Sequence, residues 1–317
     1  MTEFDLIRRY FTRAAPNALL GVGDDAALLQ VSKGNVLAVS SDMLVCGRHF
    51  LPDAEPFQLG HKTLAVNLSD MAAMGATPRW AMLAIALPYV DEAWLEKFSE
   101  GFFALAKLHG VELVGGDTTR GPLNLCVTIL GEVSAQKALR RSGAQFGDEV
   151  WVSGTLGDAA LALAHLQNRI ILKPDELVAC ATALHRPQPR VALGQALRGI
   201  ASSAIDISDG LLGDLGHILD ASQVAAEINF SLLPICSVLR AYVQQSLGKQ
   251  CVLSGGDDYE LCFTVPAKHH ADILSISTQL ELPLTCIGKI VAGHGCIVHD
   301  ASGNSINVET SGYDHFR

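Results

Sequence analysis

Apolar runs of strand length alternate with longer helical patterns along most of the 317 residues, and this alternation restricts the chain to α/β or α+β architectures. In the first half, strands are predicted at 36–42, 80–87, 111–117 and 123–133, and helices near the start and at 56–75 and 91–109. The polar, glycine-containing segment 134–148 is the best candidate for a linker. We therefore expect two domains, residues 1–136 and 137–317.

The second half continues the same alternation. Residues 148–154 are predicted to form a strand and 156–167 a helix. Residues 202–210 are predicted to be a strand end that leads into a helix, and 251–265 are given the same interpretation. Both halves should therefore contain sheets flanked by helices.

The charge balance excludes several classes of partner. The chain has 33 acidic and 23 basic residues, a formal net charge of −10, so nucleic acid and anionic membranes are poor partners. The longest apolar stretch, 80–90, is too short to span a bilayer, and the start carries Glu3 and Asp5 rather than a signal peptide. Eight cysteines without a C-x-x-C pair indicate free thiols in a reducing, cytoplasmic setting.

Acidic residues recur beside glycines or at the ends of apolar runs. Six such stretches lie at 21–27, 40–43, 67–75, 114–121, 204–211 and 253–261. Any one of them could be an ordinary turn or helix cap, where aspartate is common. Asp70 is harder to explain so, because it lies within an apolar helix, and Asp206 interrupts an apolar strand. Six stretches together favour a site for several divalent cations, which prefer oxygen ligands.

Other phosphate-binding motifs are weak or missing. The sequence has no G-x-x-x-x-G-K-[ST] loop, and the loose G-x-G-x-x-A match at 21–26 would place two acids against a pyrophosphate. Bound cations would instead supply the positive charge for phosphates, which favours a nucleotide-using enzyme. A two-metal phosphatase and a non-catalytic Ca²⁺-binding protein remain alternatives at this stage, although no EF-hand loop occurs.

Seven stretches, taken in order, carry a resemblance to a known family. GVGDDAALL, SSDMLVCGRHF, LAVNLSDMAAMGATP, GGDTTRG, AIDISDGL, SGGDDYELCFTV and GYDHF resemble the thiamine-monophosphate kinases, which belong to the wider group similar to aminoimidazole ribonucleotide synthetase. The resemblance runs over nearly the whole chain. It implies a two-domain fold in which the N-terminal α+β domain dimerises through a shared β-barrel and the C-terminal domain is α/β. A homodimer is therefore expected.

The resemblance also implies a reaction. ATP would phosphorylate thiamine monophosphate to thiamine diphosphate by direct, Mg²⁺-assisted in-line transfer, with several Mg²⁺ ions bound. The alternatives are another ATP-using enzyme of the same superfamily or a two-metal phosphatase.

The same resemblance implies a role for each residue that matches a motif of the family. The implied metal ligands are Asp25, Ser40, Ser41, Asp42, Asp70, Asp117, Asp206 and Asp209. The implied ATP contacts are Gly116, Asp117, Arg141 and Ser208, and the implied substrate contacts are His49, Asp257 and Tyr313. His49 could instead be a packed strand-end histidine, Arg141 a solvated linker base, and Tyr313 an anchor for the C-terminus.

Overall fold

The computed structural model describes residues 2–306 and 312. The chain divides into two compact units. The first unit comprises the residues up to 71 together with 76–136, and the second comprises 72–75 together with the residues from 137 onwards. Each unit contains its own sheet, and both sheets mix parallel and antiparallel pairs.

The first unit combines four strands with helices. In chain order these are α1 (Glu3–Leu6), a π-helical turn (Ile7–Phe11), β1 (Val36–Val45), α2 (Pro56–Ala73), β2 (Thr77–Leu87), α3 (Glu92–His109), β3 (Glu112–Arg120) and β4 (Asn124–Val133). Helix α3 begins where the Asp91 side chain accepts a hydrogen bond from the Trp94 N–H, and it ends at Gly110, whose φ of 66° suits glycine. Local capping chemistry thus sets both ends of this helix.

Two glycines let the helices of the first unit pack closely. A Cβ on Gly60 of α2 would lie 2.0 Å from the Phe98 carbonyl oxygen, and a Cβ on Gly101 of α3 would lie 1.9 Å from the Phe57 oxygen. The backbones of α2 and α3 can therefore touch only because these positions lack side chains. Helix α2 also packs on the sheet, because a Cβ on Gly131 of β4 would meet the Met71 sulfur at 2.7 Å.

The first sheet has the strand order β1-β4-β2-β3. Strand β4 pairs antiparallel with β1 and β2, and β3 is parallel to β2, as expected when a helix joins them. One face carries the buried side chains of Val127 and Ile129, and we call it the covered face. The other, the open face, leaves Val39, Met43 and Met82 between 41% and 57% exposed. The sheet is open within the described residues, which contain no closed barrel.

The second unit holds a six-stranded sheet with the order β10-β7-β9-β5-β8-β6. Its elements are β5 (Glu149–Ser153), α4 (Asp158–Leu166), α5 (Pro174–His185), α6 (Val191–Ala196), β6 (Ser203–Asp206), α7 (Leu211–Ser222), β7 (Ala225–Asn229), α8 (Ser237–Tyr242), α9 (Ser246–Ser254), β8 (Leu261–Val265), α10 (His270–Gln279), β9 (Leu284–Val291) and β10 (Gly295–His299). Strands β5 and β8 lie in the interior, where Trp151 and Phe263 are almost fully buried. The helices supply much of the remaining core, with Leu161, Leu211 and Leu215 inaccessible to solvent.

One predicted element is wrong. Residues 251–265 do not begin as a strand end, because helix α9 runs to Ser254 and strand β8 starts only at Leu261. The apolar residues Cys251, Val252 and Leu253 are buried from the last turn of a helix. A short apolar run is compatible with a helix or a strand, and its periodicity does not distinguish them.

Two other expectations concern the whole chain. All eight cysteines are free thiols, as predicted. Among the described residues, no helix is both long enough and apolar enough to cross a membrane.

Candidate active site

A pocket of about 460 Å³ opens in the first unit beside the first acidic stretch. Its polar wall contains Asp25, Gly116 and Asp117, and its apolar wall contains Phe4 and Phe11 near the N-terminus. Asp24 has a local role, since its carboxylate accepts a hydrogen bond from the Asp25 backbone N–H at 2.9 Å. The pocket therefore brings together three of the predicted site residues and adds an apolar surface that could contact a flat ring.

Gly116 is the residue that positions Asp117. Its φ is +146°, and a Cβ at this position would lie 1.9 Å from the carbonyl oxygen of Leu83 on the neighbouring strand. Only glycine fits, because any side chain would push β3 away from β2. Its neighbour Gly115 is not restricted in this way, since a Cβ there would meet only Met82, at 3.6 Å.

A second group of predicted ligands lies between β1 and α2. The Ser40 hydroxyl donates to Asp70 Oδ2 at 2.5 Å, and the Asp42 backbone N–H donates to Asn67 Oδ1 at 3.1 Å. Side chains alternate along a strand, so Ser40 and Asp42 share the covered face, towards α2. Asp70 is half-buried, and the Ser40 hydroxyl on the facing strand is the hydrogen-bond partner of its carboxylate.

Asn67 is a member of this group that the sequence analysis missed. It is 1% exposed, its Nδ2 donates to the Thr63 carbonyl at 3.1 Å, and its Oδ1 holds the backbone of Asp42. A buried amide in an apolar helix, three residues before Asp70, was a usable signal, because such groups must find hydrogen-bond partners.

The Ser41 side chain does not belong to the group formed by Ser40, Asp42 and Asp70. Its hydroxyl donates to the Val127 carbonyl at 3.1 Å and lies 3.1 Å from the Thr128 hydroxyl, on the opposite face of β1 from Ser40 and Asp42. His49 is half-buried just beyond β1, where its Nδ1 accepts the Val45 N–H at 2.9 Å. This hydrogen bond places the proton of a neutral ring on Nε2.

The two groups of the first unit lie at opposite edges of the sheet. Asp42 is on β1 and Asp117 on β3, and these edge strands are three inter-strand steps apart, roughly 14 Å. The pairing also puts Asp117 in the row of Ala84 and Met43, on the open face. Within one chain, Asp42 and Asp117 therefore cannot ligate the same ion, because Mg²⁺–oxygen bonds are only about 2.1 Å long.

In the second unit, Asp206, Ser208 and Asp209 lie at the junction of β6 and α7. The junction is built by Asp214, whose Oδ2 accepts the backbone N–H groups of residues 208, 209 and 210 at 3.0–3.1 Å. Burial raises the pKa of Asp214 to about 7, although these hydrogen bonds act in the opposite direction. Because Asp214 occupies three N–H groups, the loop can offer a ligand mainly side-chain oxygens.

Asp214 was also missed at the sequence level. It lies in the first turn of α7, four residues after Gly210, where an acid is usually read as a favourable charge at a helix N-terminus. The structure instead shows a buried carboxylate, 3% exposed, that shapes the loop before the helix.

The acidic segment 257–260 divides into different roles. Asp257 is half-buried, and its N–H donates to the Ser208 carbonyl at 2.8 Å. Asp258 is buried, and its carboxylate accepts the Gly157 N–H at 2.9–3.0 Å, while burial raises its pKa. Glu260 accepts two hydrogen bonds from Arg190. Asp258 and Glu260 therefore stabilise the fold through contacts within the second unit.

Asp257 is the member of this segment that stays a candidate for binding. Its φ is +70°, an uncommon value for a residue with a side chain. Such backbone strain is often found at functional positions.

The remaining predicted residues have simpler environments. Arg141 is exposed, and its carbonyl accepts a hydrogen bond from the Ser222 hydroxyl at 3.4 Å. The preceding carbonyl, of Arg140, accepts the Ala204 N–H at 2.9 Å, so this segment runs beside β6. Tyr313 lies outside the described residues.

Two family models match the chain. The model described as AIR synthase related protein, N-terminal domain, matches residues 23–133, and the model described as AIR synthase related protein, C-terminal domain, matches residues 145–301. These matches and the two mixed sheets define the class of fold as the two-domain AIR synthase-like α/β fold.

Individual relatives narrow this class. Thiamine-monophosphate kinase of Escherichia coli is 48% identical over 99% of this chain and 98% of its own length. A crystal structure of thiamine-monophosphate kinase from Stenotrophomonas maltophilia is 48% identical, with a TM-score of 0.85 over 96% of both chains. The structure "AaThiL complexed with AMPPCP and TMP" is 30% identical, with a TM-score of 0.79 over 99% of this chain and 96% of that one. The chain belongs to the thiamine-monophosphate kinase family.

Proposed function

We propose that this chain transfers the γ-phosphoryl group of ATP to thiamine monophosphate, giving ADP and thiamine diphosphate. The observation that carries the proposal is the 48% identity over essentially the whole chain to an enzyme named thiamine-monophosphate kinase. A structural relative that covers 99% of this chain is titled as a complex with AMPPCP and TMP, which supports ATP and thiamine monophosphate as the two substrates.

The donor chemistry of the site fits magnesium. Ser40 and Asp70 bring a hydroxyl and a carboxylate oxygen to 2.5 Å, and Asp42 extends the same face of β1. Asp25 and Asp117 offer exposed carboxylates at the pocket. Such hard oxygen donors, with open positions for water or phosphate, suit Mg²⁺. Bound Mg²⁺ would offset phosphate charge and stabilise the charge that develops on the transferred group.

We propose a specific role for each predicted site residue. The proposed metal ligands are Asp25, Ser40, Ser41, Asp42, Asp70, Asp117, Asp206 and Asp209. The proposed ATP contacts are Gly116, Asp117, Arg141 and Ser208, and the proposed substrate contacts are His49, Asp257 and Tyr313. For Ser41 the hydroxyl faces away from Ser40 and Asp42, so a contact on their side would have to come from its backbone.

No general base is required for this transfer. The nucleophile is a phosphate oxygen of thiamine monophosphate, which is already anionic near neutral pH. The main obstacle is repulsion between two polyanions, roughly 1 kcal/mol per charge pair at about 4 Å in water and about 4 kcal/mol at an effective dielectric constant of about 20. The residues of the chain therefore act by holding and orienting the reactants rather than by forming a covalent intermediate.

The N-terminal domain, residues 1–136, is proposed to form a homodimer whose two sheets close into a shared barrel. The open face supports this proposal because Val39, Met43 and Met82 remain exposed on it. In the part of the chain that the structure describes, β1 and β3 are the edge strands of this sheet, and a second copy could pair with them. Sedimentation analysis should give the mass of a dimer, and a monomer at micromolar concentration would refute the barrel.

The activity is tested with purified chain, ATP and thiamine monophosphate, by following ADP and thiamine diphosphate together. Asp70→Asn and Asp117→Asn should each lose about 100-fold or more in kcat/KM at limiting Mg²⁺, because each removes a proposed metal ligand. Asp91→Asn is the matched control, since asparagine caps a helix as well as aspartate does and Asp91 lies outside the site.

Three results would contradict the proposal. Near-normal turnover by both site variants would refute the assigned metal ligands. Phosphate release from thiamine monophosphate without ATP would favour a phosphatase instead. A trapped covalent phosphoprotein would refute direct transfer.

A further inference from the structure

Two thiols and a carboxylate meet inside the second unit, and none of the three is among the residues assigned to phosphoryl transfer. Asp158 is the first residue of α4, Cys180 lies in α5, and Cys236 immediately precedes α8. One oxygen of Asp158 and the two sulfur atoms all lie within 4.8 Å of one another. The chain separates these residues by 22 and 56 positions, so the fold itself assembles the cluster.

The carboxylate of this cluster has an unsatisfied oxygen. Asp158 is 7% exposed, and its Oδ2 accepts a hydrogen bond from the Thr155 hydroxyl at 2.7 Å. Its Oδ1 is buried and accepts no hydrogen bond from an N–H or O–H group of any residue that the structure describes, and only the weakly donating Cys236 thiol lies near the carboxylate. Buried carboxylate oxygens normally have partners, so this atom indicates a missing ligand.

The two thiols are not equivalent. Cys180 is fully buried, whereas Cys236 is partly exposed and its sulfur accepts the Leu239 N–H at 3.3 Å. Cys236 is therefore the thiol that an ion entering from solvent can reach first.

We propose that Asp158, Cys180 and Cys236 bind one zinc ion, with a solvent molecule in the fourth position on the exposed side of Cys236. Two sulfur donors and one carboxylate select a soft or borderline metal and disfavour Mg²⁺, which prefers six oxygens. In tetrahedral zinc sites the sulfur atoms lie about 3.8 Å apart, so the cluster needs only a small contraction. The ion would connect α4, α5 and α8 and stabilise the second unit.

A disulfide between Cys180 and Cys236 is the competing outcome. It would use both thiols but would leave Asp158 Oδ1 buried without a partner. The zinc site uses all three groups.

The test uses the full chain, reduced, stripped of metal with a chelator and kept in excess Mg²⁺ to occupy oxygen sites. Co²⁺ is added as a spectroscopic probe, and Zn²⁺ then displaces it. We expect one Co²⁺ per chain with a thiolate-to-metal charge-transfer band, and a rise in the thermal unfolding midpoint with Zn²⁺. Cys236→Ser and Asp158→Asn should weaken binding by at least about tenfold, and Cys236→Ser should also diminish the band.

Cys286→Ser is the matched control, because Cys286 is a half-buried thiol on β9 outside the cluster. It should bind Co²⁺ and Zn²⁺ like the unmodified chain. Asp158→Asn can keep the Thr155 hydrogen bond through its amide oxygen, which protects the fold if a cysteine variant is unstable. Equal binding by all variants, no charge-transfer band, or a Cys180–Cys236 disulfide with no metal uptake after reduction would each overturn the proposal.

Discussion

Replacing Gly116 by alanine tests the geometry that places Asp117 at the pocket. The added methyl group would start 1.9 Å from the Leu83 carbonyl oxygen, a separation that real Cβ atoms essentially never show. The obstacle is backbone rather than a flexible side chain, so β3 must move away from β2. The φ of +146° adds a second penalty, because residues with a side chain rarely adopt it.

The size of the effect follows from these two penalties. A residue forced into a sparsely populated backbone region costs about 1–3 kcal/mol, and overpacking costs about 1–3 kcal/mol. Gly116→Ala should therefore lower the free energy of unfolding by about 2–6 kcal/mol, a large share of a typical total of about 5–15 kcal/mol. If the variant stays folded, a displacement of roughly 1 Å at Asp117 should reduce kcat/KM by about 100-fold.

The assay compares denaturant unfolding and ATP-dependent kinetics of Gly116→Ala with those of Gly115→Ala. A Cβ on Gly115 would meet only the end of the Met82 side chain at 3.6 Å, and its φ lies outside the positive range. We expect this control to change the free energy of unfolding by less than about 1 kcal/mol. If the two variants differ by less than that, the interpretation of Gly116 is refuted.

Two further predictions concern buried carboxylates. Asp214→Ala should lower the free energy of unfolding by about 1–3 kcal/mol and reduce activity, because the three N–H groups of residues 208–210 lose their acceptor. Asp214→Asn keeps an oxygen acceptor and should have a smaller effect. Equal effects of the two variants in denaturant unfolding would contradict this. Burial alone would raise the pKa of Glu132, but hydrogen bonds from Ser32 and the charge of Arg79 lower it below its usual 4.5. Its stabilising effect is therefore present above about pH 4.5 and lost as the pH falls, so the stability gap between the chain and Glu132→Gln should narrow in acid, and a constant gap would be inconsistent.

Much of the fold could be predicted from the pattern of apolar residues. The four strands and two main helices of the first unit lie where periodicity placed them, although β1 and β3 end three residues later than predicted and β2 begins three residues earlier. Periodicity failed at 251–265 because the apolar run there is too short to distinguish a helix from a strand. The pairing of β1 with β4 could not be predicted, since nothing local specifies a partner between 79 and 97 residues away.

The sequence indicated the environment of one acidic residue of the candidate site and missed the residues that support the site. Asp70 was identified because a charge within an apolar helix requires a partner, and the structure supplies Ser40. The orientation of Ser41 could also have been predicted, since side chains alternate along a strand and Ser41 therefore lies on the opposite face from Ser40. Asn67 was missed although an amide in an apolar helix is a usable signal, and Asp214 was missed because an acid in a first helical turn is usually read as a favourable charge rather than as an acceptor for the preceding loop.

The strand order of the first sheet has a consequence for how the chain folds during synthesis. Among the residues that the structure describes, strand β1 pairs only with β4, from Val45 with Asn124 to Val36 with Val133, so it emerges from the ribosome long before that partner exists. Closing such a long loop is slow, and the apolar β1 must meanwhile avoid pairing with other chains. We therefore expect the rate of formation of the β1–β4 ladder to limit the yield of native protein.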